Sequence, residues 1–252
     1  MFRISGVIIT YNEEKNIGRC LASLQGVVDE IIVLDSYSKD RTEEISLSYG
    51  AVFKQHTFDG HIQQKNRAAG MANGDYILSL DADEALSDTL KASVLAIKRS
   101  ESLYDAYSFN RLTNYCGKWI KHSSWYPDKK LRLWKKNIGS WGGRNPHDIF
   151  QVSRETKVKH LKGDLLHYSY YTIEEHVQQM DKFSTISANA YLEKGKKANL
   201  LLLIVNPSWR FIRDYFFKLG ILDGFYGLIV CKNAAHEVFL KYAKLIHLKR
   251  NG

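Results

Sequence analysis

Short apolar runs that close on polar residues, separated by stretches with helical spacing, fill the first hundred residues. Gly6-Val7-Ile8-Ile9-Thr10 is β-rich, and Glu14 to Leu24 sets Ile17, Leu21 and Leu24 on one helical face. Glu30-Ile31-Ile32-Val33-Leu34-Asp35 is apolar again and ends on a carboxylate. Ser38 and Asp40 stand where they would cap a helix through Ile45 and Leu47. Ala51-Val52-Phe53 reads as a third strand, Ile62 to Met71 as a helix and Asp75 to Leu80 as a fourth strand. Ser87 would cap a helix carrying Leu90, Val94 and Ile97. This β-α-β-α order admits few architectures: parallel strands need crossover helices, which then cover both faces of the sheet. Ligands of such sheets bind beyond the carboxyl ends of the strands, where Thr10, Asp35 and Asp81 fall.

Two carboxylates one residue apart at a strand end, Asp81 and Asp83 in Leu80-Asp81-Ala82-Asp83-Glu84, suit a hard divalent cation. Mg²⁺ or Mn²⁺ held that way keeps positions open for phosphate oxygens. The plain alternative is a solvated turn with a helix cap after it. In Thr10-Tyr11-Asn12-Glu13-Glu14, Tyr11 and Glu13 supply an aromatic and an acceptor for a base and a ribose. The alternative there is a helix start with Asn12 as its cap and acids at the positive end of the dipole.

Residues 104–170 change character and become rich in Tyr, Trp, Phe and basic residues. β-like runs at Tyr104–Asn110, Lys130–Lys135 and Lys157–Tyr168 predict a smaller mixed or antiparallel region over the active face. From Thr172 the pattern is helical, interrupted by Pro207 and turning at Gly220 and Gly224. Cys20, Cys116 and Cys231 are scattered without metal-ligand spacing, which predicts reduced thiols in a cytoplasmic protein. The N-terminus shows no leader pattern, and the longest apolar run, Leu200 to Val205, is far short of the ~20 residues of a spanning helix.

The net charge of +9 is uneven. Residues 1–153 carry 20 Lys+Arg against 18 Asp+Glu, and residues 154–252 carry 16 against 9, so +7 lies in the last part of the chain. Trp209, Ile212, Phe216 and Leu219 recur there at helical spacing among Arg210, Arg213 and Lys218. Phe225, Leu228, Ile229, Phe239, Tyr242 and Ile246 suggest a second amphipathic helix. Such stripes serve a core or a homodimer face, or a helix lying on an anionic membrane.

Val7-Ile8-Ile9-Thr10-Tyr11-Asn12-Glu13-Glu14, Ile31-Ile32-Val33-Leu34-Asp35, Gln64-Lys65-Asn66 and Leu80-Asp81-Ala82-Asp83-Glu84 come in the order and spacing of the inverting family 2 glycosyltransferases with the GT-A fold. Leu131-Arg132-Leu133-Trp134, Pro146-His147-Asp148, His167-Tyr168-Ser169 and Leu222-Asp223-Gly224 resemble the subgroup that includes the lipopolysaccharide core β-1,4-glucosyltransferases. The resemblance implies an α/β, GT-A-like fold: a mostly parallel nucleotide-binding sheet flanked by helices, a small mixed β region and a C-terminal helical extension. It implies a catalytic domain over 1–170, with a nucleotide-sugar half at 1–100 and an acceptor-side half at 101–170, and a basic amphipathic extension over 171–252.

The same resemblance implies residue roles. Thr10, Tyr11 and Glu13 would line the nucleoside pocket, and Asp35 would accept from the uracil imide. Lys65 and Asn66 would sit beside base or ribose, with a solvated helix charge as the alternative for Lys65; Asp81 would touch ribose or metal, and Asp83 would ligate the metal under the diphosphate. His167 would complete the metal sphere, with a structural histidine as the alternative. Arg132 would reach a phosphate through its guanidinium, or else is a surface strand residue. The acceptor hydroxyl needs a base, and a carboxylate is the natural one. Asp148 is the candidate, in a Gly142-Gly143-Arg144-Asn145-Pro146-His147-Asp148 loop. The subgroup shows His-Glu where this chain has His147-Asp148. Asp128 in Tyr126-Pro127-Asp128 is its rival, and a turn carboxylate is the alternative for either.

The expected activity is therefore a Mg²⁺- or Mn²⁺-dependent, inverting transfer of a hexose, glucose first, from a UDP-sugar. The acceptor would be a lipid-linked glycan such as the lipopolysaccharide inner core. The expected location is cytoplasmic, peripheral on the inner face of the membrane. A sugar-nucleotide pyrophosphorylase is an alternative, although Thr10-Tyr11-Asn12-Glu13 stands where its Gly-rich loop would be. A nucleic-acid-binding module would explain the charge but not carboxylates at three strand ends, so no nucleic-acid partner is expected.

Overall fold

The computed structural model describes residues 2–100, 104–144 and 147–251. The chain divides into two compact units, Met1–Arg111 with Lys129–Tyr168, and Leu112–Asp128 with Ser169–Gly252. Residues 112–128 thus go with the C-terminal helices.

The first unit opens with β1 (Ile4–Thr10), α1 (Ile17–Leu24), β2 (Glu30–Asp35), α2 (Thr42–Ser48), β3 (Val52–Gln55), α3 (His61–Gly70) and β4 (Tyr76–Asp81). β3, β2, β1 and β4 pair in parallel in that order. Alternation along the strands supplies two cores. Ile4 and Ile8 of β1, Val33 of β2 and Leu78 and Leu80 of β4 pack with Ile17, Leu21 and Leu24 of α1. On the other face, Val7, Ile32, Leu34 and Ile77 pack with Ala68 of α3. This is the helix-covered parallel sheet that the β-α-β-α pattern predicts.

β5 (Glu84–Leu86) and α4 (Asp88–Arg99) follow, and Ser87 caps α4 by accepting from the Leu90 amide. β6 (Ala106–Tyr115), β8 (Asp128–Lys135) and β11 (Val158–Tyr170) extend the sheet beyond β4 in the order β8, β6, β11, β5. Ser38 does not cap α2; its hydroxyl accepts from the Asn12 amide, while Asp40 accepts from the Thr42 amide. Nor does Asn12 cap α1, which starts at Ile17.

Asp148 lies on a strand, not in a loop. β9 (Gly139–Arg144) and β10 (His147–Val152) form an antiparallel pair with Asp148 opposite Gly143. Glycine is required there by proximity: a Cβ on Gly139 would come within 2.1 Å of the Gln151 carbonyl oxygen. Gly163 has a related task in β11. Its φ is +97°, and a Cβ there would stand 2.3 Å from the Leu90 amide, so the strand passes the first turn of α4 only without a side chain.

The second unit holds the end of β6, paired with β7 (Lys118–Ile120), and the helices α5 (Ile173–Glu193), α6 (Leu200–Ile212) and α7 (Gly224–Asn251). Thr172 and Glu175 form a reciprocal capping box at the start of α5. Pro207 does not interrupt the helix as expected but lies inside α6. It removes one N–H, and the next residue, Ser208, donates its hydroxyl to the Ile204 carbonyl. A π-turn over Arg213–Phe217 and a 3₁₀ turn over Gly220–Asp223 lead into α7. The Trp209–Leu219 stripe is not core: Trp209, Ile212, Phe216 and Leu219 are all exposed. Arg210 and Arg213 do not stand free beside it, because both pair with the buried Asp214.

His176 of α5 is buried, and its Nδ1 lies 3.0 Å from the Tyr115 hydroxyl and 3.1 Å from the Asn233 amide nitrogen. Both neighbours can donate, so the ring sits as a neutral acceptor. Burial holds its pKa at about 4, below the ordinary 6.5. The unfolded chain therefore binds a proton that the fold rejects, and stability falls as pH drops through this window. Between pH 6.5 and about pH 5 the loss should be about 1.5 kcal/mol. Urea midpoints measured across that interval should show it, and His176→Gln should flatten the slope.

Candidate functional site

Parallel register sets the strand ends side by side, with Thr10 opposite Asp35 and Ile9 opposite Asp81. Around Asp81 the first unit builds a buried charge network. Lys65 Nζ lies 2.8 Å from Asp81 Oδ1, and Arg132 Nη2 donates to Asp81 Oδ2 at 2.9 Å. The same lysine donates to Asp148 Oδ2 at 2.8 Å. Arg132 also meets Glu84 Oε1 at 3.1 Å, where Arg111 approaches to 3.5 Å. Glu84 Oε2 accepts from the Asp81 amide at 2.9 Å. The Trp141 ring lies against both cations, 4.5 Å from Lys65 Nζ and 5.2 Å from the Arg132 guanidinium carbon.

Burial by itself pushes the Asp81 carboxyl up. The charges of Lys65 and Arg132 and the Lys65 hydrogen bond overcome it and hold the group well below the usual carboxylate range. Arg132 is pulled down by burial, but Glu84 and Asp81 carry it above its ordinary value. Asp81 is therefore a fixed anion with one cation on each oxygen.

Asp83 has a different environment. Its Oδ2 lies 3.1 Å from His167 Nε2, and its carbonyl accepts from the Tyr168 amide at 2.9 Å. The pairing of β11 with β5, His167 opposite Glu84, brings the histidine there. A carboxylate and an imidazole facing each other give a divalent cation two ligands. No cluster of three or more His, Cys, Asp or Glu among the described residues could hold a metal alone. The donor set fits a cation whose remaining positions belong to a ligand such as a diphosphate. Asp81 fits that role poorly because both its oxygens are engaged.

Thr10 and Asp35 end β1 and β2, and Tyr11 and Glu13 follow on the β1–α1 loop, which interlocks with the β2–α2 loop. Asn12, Glu13 and Glu14 donate their amides to Ser38 Oγ, Thr42 Oγ1 and Asp40 Oδ2, and the Lys39 and Arg41 amides donate back to Asn12 Oδ1 and Glu14 Oε2. Asp35 is fully buried and accepts from both the amide and the hydroxyl of Ser38. Tyr11 is exposed. Burial raises the Glu13 carboxyl; its bond from Asn16 opposes this, and the charges of Asp83, Asp40 and Asp81 add to the rise. Asn66 uses its carboxamide on the backbone of Trp141, donating to the carbonyl and accepting from the amide.

Of the sequence-derived candidates, Lys65, Asp81, Arg132 and Asp148 thus form one network, and Asp83 meets His167. Asp128 is the first residue of β8 and is the last residue of the second unit's 112–128 segment, while the rest of β8 belongs to the first unit. Sequence reasoning passed over Glu84, Arg111 and Trp141. Glu84 had a signal, since a glutamate three residues after Asp81 can reach back to its amide; Arg111 and Trp141 had none. Several buried polar atoms lack a partner among the described residues: Arg132 Nε and Nη1, Trp141 Nε1 and Thr10 Oγ1. Leaving such groups unmet is costly, and a ligand rich in oxygen acceptors would satisfy the donors among them.

The family model of Glycosyl transferase family 2 matches residues 5–162. An uncharacterized glycosyltransferase of Rickettsia typhi is 31% identical over 257 aligned residues, covering 98% of this chain and 88% of that protein. The lipopolysaccharide core biosynthesis glycosyltransferase LpsC of Rhizobium meliloti is 26% identical over 253 residues, covering 96% of this chain and 91% of its own. The crystal structure of S. aureus TarS 1–349 in complex with UDP aligns over 99% of this chain and 92% of that one, with 17% identity and a TM-score of 0.46. With the family model over more than half its length and a full-length relative above 30% identity, the chain belongs to glycosyl transferase family 2.

Proposed function

We propose that this glycosyltransferase moves a hexose, glucose first, from a UDP-sugar to a hydroxyl of a lipid-linked glycan, with inversion at C1. The lipopolysaccharide core is the acceptor class that the likeness to LpsC supports. The observation that carries the reading is Lys65 bridging Asp81 and Asp148 beside the Asp83–His167 pair, all at the carboxyl end of a parallel sheet.

Asp83 and His167 would hold Mg²⁺ or Mn²⁺, which when bound neutralises charge developing on the diphosphate. Arg132 and Lys65 fix Asp81 and close the floor of the site. The acceptor oxygen bonds to C1 as the bond from C1 to the diphosphate oxygen breaks, through an oxocarbenium-like state. Asp148 takes the acceptor proton on Oδ1, while Lys65 keeps Oδ2. Tyr11, Glu13 and Asp35 serve the nucleoside.

No helix among the described residues is long and apolar enough to cross a membrane. The exposed aromatic stripe and the basic C-terminal part support peripheral attachment to an anionic membrane, where a lipid-linked acceptor resides. A homodimer through these helices is the second use of the same face.

A panel of UDP-sugars with Mn²⁺, scored by release of free UDP, tests the donor assignment; no release with any of them would refute it. Calorimetry tests the metal assignment. UDP should bind more tightly with Mn²⁺ than in EDTA, and Asp83→Ala should erase the difference. Equal affinity in both buffers for the parent would remove Asp83 and His167 from the metal.

A further inference from the structure

Within the second unit, α6 and α7 leave a groove of about 500 Å³ between them. That volume falls in the range of small-molecule sites. Phe211 and Ile212 of α6 and Phe239 of α7 supply apolar wall, Ala235 is buried at its base, and Lys232 and His236 are exposed. The α7 members recur at 232, 235, 236 and 239, the spacing of one helical face.

The surroundings are apolar and uncovered. Leu201, Ile204 and Phe217 keep 67%, 64% and 70% of their surface. Apolar exposure on this scale marks an interaction surface. The charge around it is positive. Lys232 lines the groove itself, and ahead of α6 the exposed Lys194, Lys196 and Lys197 outnumber the one exposed acid there, Glu193. Asp214 and Asp223 are turned inward: Asp214 is buried against Arg210, Arg213 and Ser124, and Asp223 is buried on the amides of Lys121 and His122. Glu237 is the one acid of α7, and it is half-buried.

We propose that this groove takes one hydrocarbon chain of an anionic lipid, with Lys232 at the lipid phosphate. The inference rests on the peripheral-membrane reading and adds a defined lipid site to it. The charge decides between occupants. A second copy of this chain would bring the same positive rim against itself, whereas an anionic amphiphile brings both the apolar body and the opposite charge.

The test uses the full chain and lysophosphatidylglycerol below its micelle concentration, followed by calorimetry. Saturable binding is expected. Ala235→Phe fills the groove and should lose it. Lys232→Gln should weaken it about fivefold, the share of one lysine near an anionic headgroup, and should leave binding of uncharged monoacylglycerol unchanged. Lys232→Gln is an exposed substitution, so it carries the test even if Ala235→Phe fails to fold. Absence of saturable binding by the parent overturns the proposal. So does parent-like affinity in Ala235→Phe, or a dimer by sedimentation that lipid does not dissociate. UDP is titrated into the same samples. UDP binding without lipid binding sinks the groove alone, and no UDP binding by the parent sinks the donor reading instead.

Discussion

Replacing Lys65 with methionine should cost about 3–5 kcal/mol of stability, the usual penalty for removing one partner of a buried ion pair. The lysine is 5% exposed and separates two carboxylates, Asp81 and Asp148, at 2.8 Å from each. Without it those anions lose their shared cation, and Arg132, paired directly with Asp81 and acting on Asp148 only through its charge, is left as their counter-ion. Urea unfolding should show a lowered midpoint with an unchanged slope. The double variant Lys65→Met with Asp148→Asn should recover part of the loss, because one of the stranded charges is gone. Additive losses in that cycle would mean that Lys65 and Asp148 are not coupled.

Asp148→Asn alone should leave UDP binding intact and lower turnover by about 10²-fold or more, the range of a missing general base. Asparagine keeps an oxygen for Lys65 Nζ, so the 2.8 Å contact that positions the side chain persists while the proton acceptor is lost. The two measurements separate the roles: UDP titration reads the pocket and steady-state turnover reads the transfer. Parent-like turnover would hand the role to Asp128 or to another group.

The parallel half of the fold was legible because β1, β2 and β4 are short apolar runs and α1 has a clear stripe; β3, at the sheet edge, keeps only Val52 and Phe53 of such a run. β2 has the bounds that its apolar run predicts, Glu30–Asp35. β5 was not legible: it has three residues, Glu84–Leu86, and no alternation to read. Gly139 looks like a loop residue, yet it is there because the Gln151 backbone of the paired strand leaves no room for a side chain. Pro207 reads as a helix end, and in α6 it removes one donor without ending the helix. Within the candidate site, Asp81 and Asp83 were legible as carboxylates at the end of an apolar run, whereas Lys65, on α3, was marked only by the family resemblance. Of what holds them, Glu84 is local, three residues from Asp81; Arg111 and Trp141 arrive by strand pairing and helix packing across the fold, which local pattern does not encode. Likewise Arg210 and Arg213 count as surface charge in the sequence, but Asp214 binds both.

The interlock between the β1–α1 and β2–α2 loops bears on how such an enzyme can be re-engineered. Residues 12–14 and 38–42 complete each other's hydrogen bonds, and Ser38 is at once the partner of Asn12 and of Asp35. Neither loop holds its shape on its own terms. A chimaera that imports one of them from a relative leaves several backbone groups of the other unmatched, so the two segments travel between homologues only as a pair. Segments 12–14 and 38–42 are therefore one unit of exchange in any redesign of this end of the sheet.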